Sequence, residues 1–229
     1  MKKGKIIVIE GTDCSGKETQ TSLLFKYLVS NGHRVERFRF PMYESPTGQI
    51  IGGPYLGKNY ISPSFFKEGA VEVDPKVAAL YYAADRRYNI KIINDYLSAG
   101  IDVILDRYVE SNMGHQGAKI FNKEKRLELY QWLEQLEYGL LELPRPDLTV
   151  FLYMPFQKVA ELKRLRNFED GHEESLKYLK NAQETYLELA EIYHFQKINC
   201  TENQKLRNVE DINKEICDIV DKFLGEKDE

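Results

Sequence analysis

A lysine closes a glycine-rich turn near the start of this chain, in Gly11-Thr12-Asp13-Cys14-Ser15-Gly16-Lys17. Residues of these types at this spacing bind polyphosphate. Gly11 and Gly16 permit a tight turn in which backbone N–H groups approach phosphate oxygens. Lys17 reaches the β- and γ-phosphates as a mobile point charge. The next position usually carries Ser or Thr, whose hydroxyl touches Mg2+. Here it is Glu18, followed by Thr19. A carboxylate there either holds the metal through water or turns away from it, and it adds negative charge beside a polyphosphate.

Four further clusters carry chemistry, each with a plainer alternative. Asp106 ends an apolar run, Ile101-Asp102-Val103-Ile104-Leu105. An acid at that place either organises a metal beside a phosphate loop or caps the next helix. Arg107 follows, as a planar fork for a phosphate or as half of a structural ion pair. Tyr82 and Arg86 are four apart, hence on one helix face. Together they stack on a base and read its edge, or they are core plus surface charge. Ser111-Asn112-Met113-Gly114-His115-Gln116-Gly117 is rich in amides and small residues, suited to a base or sugar, or simply a loop or helix start. Lys163, Arg164 and Arg166 precede Asp170-Gly171-His172-Glu173-Glu174. That is a basic turn able to close over a nucleotide, or a solvated helix end. His33, His115, His172 and His194 show no metal-ligand spacing.

The elements that must position these residues alternate. The apolar, β-branched run at 5–10 reads as a strand, and the glycine turn then opens a helix at 17–31. Strand, turn and helix in this order make the motif a P-loop, with the helix N-terminus aimed at the anion. Further strands are expected at 34–40, 101–106, 148–154 and 195–200, several as near-continuous apolar runs covered on both faces. Helices are expected at 75–99, 123–143, 173–193 and 209–224. The pattern predicts an α/β fold: a P-loop NTPase-type, parallel five-stranded sheet with helices on both faces. Ligands bind such sheets at the carboxyl ends of the strands, after Glu10, Phe40 and Asp106. Residues 41–74 read as an irregular loop, either covering substrate or merely connecting. Residues 164–174 suit a small mobile lid. No repeat or linker divides residues 1–229, so one domain is expected.

At 229 residues with net charge −4, the chain holds a full core and lacks the cationic excess of a nucleic-acid binder. Cys14, Cys200 and Cys217 make neither a disulfide framework nor a zinc site, which points to the cytoplasm. No apolar run approaches the roughly 18 residues of a membrane span. The first residues do not read as a signal peptide.

Assembled, these residues resemble the thymidylate kinases, among the P-loop nucleoside monophosphate kinases. The similarity covers nearly the whole length. It rests on Glu10 through Lys17, Phe40-Pro41, Tyr82 to Arg86, Asp106-Arg107-Tyr108-Val109-Glu110-Ser111-Asn112, Gln116-Gly117 and Lys163-Arg164-Leu165-Arg166. The resemblance implies that ATP phosphorylates dTMP to dTDP with Mg2+, and that the protein is a homodimer. It implies that Asp13 binds the sugar 3′-hydroxyl and that Tyr82 stacks on thymine. Arg86 would bond the base edge, with Asn112 or Gln116 completing base recognition and Phe40 and Ser111 lining the same site. Arg107 would hold the acceptor phosphate and Asp106 the metal. Cys14 stands where some members carry a P-loop arginine, so Arg164 and Arg166 become the catalytic candidates. Three departures stand out: Glu18, Tyr82 in place of the more usual Phe, and Met42-Tyr43 where an arginine often follows Phe-Pro. The alternatives are a kinase of another nucleoside monophosphate or deoxynucleoside, and a silent nucleotide-binding relative. A GTPase switch would need Asn-Lys-x-Asp; Asn122-Lys123-Glu124-Lys125 and Asn213-Lys214-Glu215-Ile216 both lack the Asp.

Overall fold

The structure is a computed structural model that describes residues 3–165 and 173–225. Its centre is strand β1 (Ile6–Gly11), every residue of which is buried. Alternate side chains of a strand leave on opposite faces. Accordingly Ile6 and Val8 join one core, while Ile7 and Ile9 join the other. The remaining strands are β2 (Val35–Arg39), β3 (Asp102–Asp106), β4 (Leu148–Tyr153) and β5 (Gln196–Asn199). All pair in parallel, in the order β2-β3-β1-β4-β5.

Helices α3 (Pro75–Ser98), α4 (Val109–Gly117), α5 (Lys123–Glu134) and α7 (Glu173–Ile192) cover the first face, through Ile93, Met113, Leu133 and Tyr186. Helices α1 (Lys17–Ser30), α6 (Phe156–Leu165) and α8 (Val209–Gly225) cover the second, through Leu24, Val159 and Ile216. The expected five-stranded parallel sheet between helical layers is present, with strand limits within two residues of those read from the sequence. A small antiparallel pair, β6 (Thr201–Glu202) with β7 (Lys205–Leu206), was not anticipated.

Two readings are corrected and one is decided. Residues 41–74 are not a plain loop. They contain α2 (Pro46–Ile50), capped by the Ser45 side chain, and a π-helical turn, Ile51–Tyr55. A third apolar cluster of Ile51, Tyr55, Val73 and Ala78 holds this segment. Asp85 ties it to α3, accepting from the Met42 N–H at 2.9 Å and the Thr47 hydroxyl at 2.8 Å. The helix expected at 123–143 is α5 followed by a wider π-helical segment, Gln135–Leu140. Residues 111–117, left open between loop and helix, belong to α4.

Candidate active site

Strand β1 delivers its chain into the P-loop at the middle of the sheet, and β3 ends beside it, with Ile9 registered against Asp106. Gly11, at φ 157, packs where a Cβ would lie 2.7 Å from the Leu152 carbonyl. Gly16 caps α1 in the left-handed region, φ 84, with no side chain bonding the first helical N–H groups. Those N–H groups remain as donors for an anion. Lys17 is buried and folds back, donating to the Thr12 carbonyl at 2.7 Å. Burial and the nearby Arg107 charge pull its pKa down to about 8, against the opposing pull of Asp13.

Glu10 joins this loop to the segment after β3. Its carboxylate accepts from the Tyr108 N–H at 2.9 Å and from the Ser111 hydroxyl at 2.7 Å. Arg107 sits at φ 69 between these anchors. It donates to Asp13 at 3.1 Å and to His115 Nε2 at 3.0 Å. Burial and Arg107 push the His115 pKa down to about 3, so the ring is neutral. A neutral imidazole that accepts at Nε2 carries its proton on Nδ1. That proton goes to the Tyr178 hydroxyl oxygen, 2.9 Å away. The second Asp13 oxygen meets Lys163 of α6 at 3.2 Å. Burial opposes ionisation of Asp13, but Arg107, Lys17 and Lys163 outweigh it and hold the carboxyl well below the usual carboxylate range. Arg107, Lys17 and Lys163 thus converge on Asp13, while the Glu10 and Asp106 carboxylates also act on Lys17 and Arg107.

A cavity of about 380 Å³ opens from Arg107 along α3 and α4. Asp13, Phe40, Tyr82, Arg86, Arg107, Ser111, Asn112 and Gln116, all singled out from the sequence, line it together. At its inner wall Arg86 is buried and bidentate to Glu137, through Nε and through Nη2 at 2.7 Å. Its Nη1 donates to the Tyr108 carbonyl at 3.3 Å. Asn112 Nδ2 donates to Glu137 at 2.9 Å and to the Ala79 carbonyl at 3.1 Å. Both amide protons are thereby used. Asn112 Oδ1 and Gln116 Oε1 are buried with no hydrogen-bond partner. The segment 41–74 adds Tyr43, Tyr55 and Lys58 to the cavity wall, and α7 adds Tyr178. Tyr55, Lys58 and Tyr178 were not legible as site residues, because their neighbours in sequence carry no motif; Tyr43 follows Phe40-Pro41, where it drew notice only for the missing arginine.

A second cavity, of about 260 Å³, lies beside Asp106, Thr21 and Glu18. Asp106 Oδ1 and Thr21 Oγ1 are buried there without partners. Glu18 turns outward, with 76% of its side chain exposed, and meets Arg39 at 3.6 Å. Thr19 is exposed. Among the described residues no cluster of three or more His, Cys, Asp or Glu is placed to hold a metal. A divalent cation bound through phosphates and water needs only one or two protein carboxylates, so the orphaned Asp106 oxygen fits such an ion. Arg164 is exposed in the last turn of α6. Arg166 and most of the 164–174 lid lie outside the described residues. No helix among those described is long and apolar enough to cross a membrane.

The sequence profile described as Thymidylate kinase matches residues 9–216. The human thymidylate kinase is 31% identical over 160 residues, which is 70% of this chain and 66% of that protein. The probable thymidylate kinase of Pyrococcus horikoshii is 31% identical over 95% of this chain and 96% of its own length. The solved structure of the Candida albicans thymidylate kinase superposes with a TM-score of 0.71 over 96% of this chain and 92% of that one, at 23% identity, a likeness of fold. With a profile match over nearly the whole length and full-length relatives above 30% identity, this chain belongs to the thymidylate kinase family.

Proposed function

We propose that this protein transfers the γ-phosphoryl group of ATP to dTMP, giving ADP and dTDP. The observation that carries the acceptor is the polar pattern at the inner cavity wall. Asn112 Oδ1 is an unpartnered acceptor, and Arg86 beside it offers only donors. Thymine presents N3–H and a carbonyl oxygen at O4, which satisfy both. Cytosine presents an acceptor at N3 and an amino group at C4, which satisfy neither. A buried polar group left unpaired is costly, so the pattern discriminates.

In this reading Tyr82 stacks on the base, Phe40, Ser111 and Gln116 complete its pocket, and Asp13 takes the sugar 3′-hydroxyl. Arg107 clamps the acceptor phosphate. The P-loop from Gly11 to Lys17 and the start of α1, with Glu18 and Thr19, hold ATP, Lys17 lying on the transferring group. The acceptor phosphate is already anionic, so no strong general base is required. Rate comes from alignment and from positive charge preorganised around the transferring phosphoryl. Asp106 would hold Mg2+ together with ATP, and the ion would supply further neutralisation of phosphate charge. Glu18, facing solvent and Arg39, fits that ion less well than Asp106. Lys163 already reaches the P-loop, and Arg164 and Arg166 follow it as lid cations. We take residues 1–229 as one kinase domain acting in the cytosol, in keeping with three free cysteines. We also propose a homodimer, supported by an exposed apolar stripe on α3: Val77, Leu80, Tyr88 and Ile92.

ADP release with ATP, Mg2+ and each of dTMP, dUMP, dCMP, dGMP and thymidine tests this function. Strong turnover with dTMP is expected, and its absence with preserved ATP binding would overturn the reading. Lys17→Ala is expected to lower kcat by at least about 100-fold, as loss of preorganised charge does. Near-normal turnover in that variant would refute the P-loop assignment.

A further inference from the structure

Glu137 does not line the acceptor cavity, yet both groups that face the base edge depend on it. It is fully buried in the π-helical segment after α5. One carboxylate oxygen accepts from Arg86 Nη2 at 2.7 Å and from Asn112 Nδ2 at 2.9 Å, and the other accepts from Arg86 Nε. An ionised carboxylate only accepts. Asn112 must therefore turn its amino group toward Glu137, where the Ala79 carbonyl takes the second proton. Its oxygen is left as a buried, unpartnered acceptor on a residue that lines the cavity. Arg86 is held by the same carboxylate with its fork fixed.

We propose that Glu137 is a positioning residue that sets the pyrimidine edge this site accepts, by fixing Asn112 as acceptor and Arg86 as donor. The inference rests on reading the cavity as the dTMP site. With an amide at position 137, a donor faces Asn112, and the Asn112 amide is free to turn. Its amino group then faces the base and meets the N3 lone pair of cytosine. The carboxylate thus excludes cytosine without touching it.

The test compares wild type and Glu137→Gln with dTMP and dCMP as acceptors, alongside the KM for ATP. The dTMP/dCMP ratio of kcat/KM is expected to fall at least about 10-fold, as loss of one buried base-edge hydrogen bond does. The KM for dTMP should rise, while the KM for ATP and kcat stay within about threefold, since the phosphate end is untouched. A folded variant that keeps the wild-type ratio, or loses ATP and both acceptors in parallel, overturns the proposal. Glu137→Gln also removes the counter-charge of a buried arginine, so it need not fold. A measurement on the nucleotide-free wild type then decides. Both Asn112 side-chain amide protons should exchange at least about 100-fold more slowly than those of an exposed asparagine, because both are buried donors. Fast exchange overturns the orientation. Wild type inactive on dTMP with slow Asn112 protons would sink the dTMP reading while leaving the Glu137 geometry standing.

Discussion

Lys17 carries its charge against the cost of burial, and that cost makes it a proton sensor for the bound anion. In the nucleotide-free protein its pKa is pulled down to about 8 by burial and by Arg107. Polyphosphate placed against Nζ favours the charged form and raises that pKa. Between the two values, binding must therefore take up a proton. At about pH 8.5, calorimetry of ATP binding in buffers of different ionisation enthalpy should report about three quarters of a proton taken up, the neutral fraction of a group titrating near 8. Lys17→Met should abolish the uptake, and identical uptake in that variant would assign it elsewhere. Glu110 gives the opposite kind of pH effect, on stability. It is buried, and desolvation raises its pKa to about 7, although the Tyr138 hydroxyl donates to it at 2.6 Å. Its folded pKa lies above the unfolded value, so the native state binds the extra proton. Stability from this group is complete below about pH 4.5 and is lost as pH rises through 7. Glu110→Gln should remove that decline and stabilise the protein at pH 8 by up to about 3 kcal/mol, the order set by the shift. Denaturant melts at pH 5 and pH 8 check it; a parallel pH slope in variant and wild type would exclude Glu110 as its source.

Helix α4 shows how an element positions a site that its own sequence hardly specifies. It carries Ser111, Asn112 and Gln116 into the cavity, yet Ser, Asn, Gly and His are poor helix formers. Packing makes it helical: a Cβ on Gly114 would lie 2.7 Å from the Tyr186 ring of α7. That ring cannot yield, being fully buried and stacked on Phe151 with centroids 5.6 Å apart. Gly114→Ala should therefore cost about 1–3 kcal/mol by overpacking, despite the better helix propensity of Ala. Gly139, in the π-helical segment, has open space where its Cβ would be, and Gly139→Ala should gain about 0.5–1 kcal/mol. Equal melting shifts for the two variants would refute the packing account. The contrast also explains what was legible. Strands buried on both faces announce themselves by composition, and the P-loop by fixed offsets. The eight cavity-lining residues singled out from the sequence came from short motifs, and the fold brings them to one cavity. Glu137, His115 and Lys163 act through partners 51, 8 and 150 residues away, a pairing no local period encodes. The π-helical widening at Gln135–Leu140 was read as plain helix because one turn of apolar spacing does not separate the two geometries.

At the scale of the molecule, α3 has two apolar sides. One side packs Ala79, Ile90, Ile93 and Leu97 into the core and sets Tyr82 and Arg86 in the cavity wall. The other exposes Val77, Leu80, Tyr88 and Ile92, at 42%, 49%, 59% and 45%. Residues three and four apart on a helix form one stripe, and a contiguous apolar stripe in water marks an interface. A two-fold pairing of α3 with α3 is self-complementary, because the same stripe meets itself. The proposed dimer would use this pairing and would bear on the proposed acceptor site, since the same helix carries Tyr82 and Arg86 in the cavity wall. Tyr88→Glu places two like charges near the middle of that contact and should yield a monomer of 26.7 kDa, where wild type is expected to sediment at twice that mass. Freed of its partner, α3 should hold Tyr82 and Arg86 less rigidly. The KM for dTMP should then rise at least about threefold while the KM for ATP, bound across the sheet at the P-loop, stays unchanged. Wild type and variant of one mass would reject the α3 interface. A monomeric variant with an unaltered KM for dTMP would keep the interface and reject its link to the acceptor site.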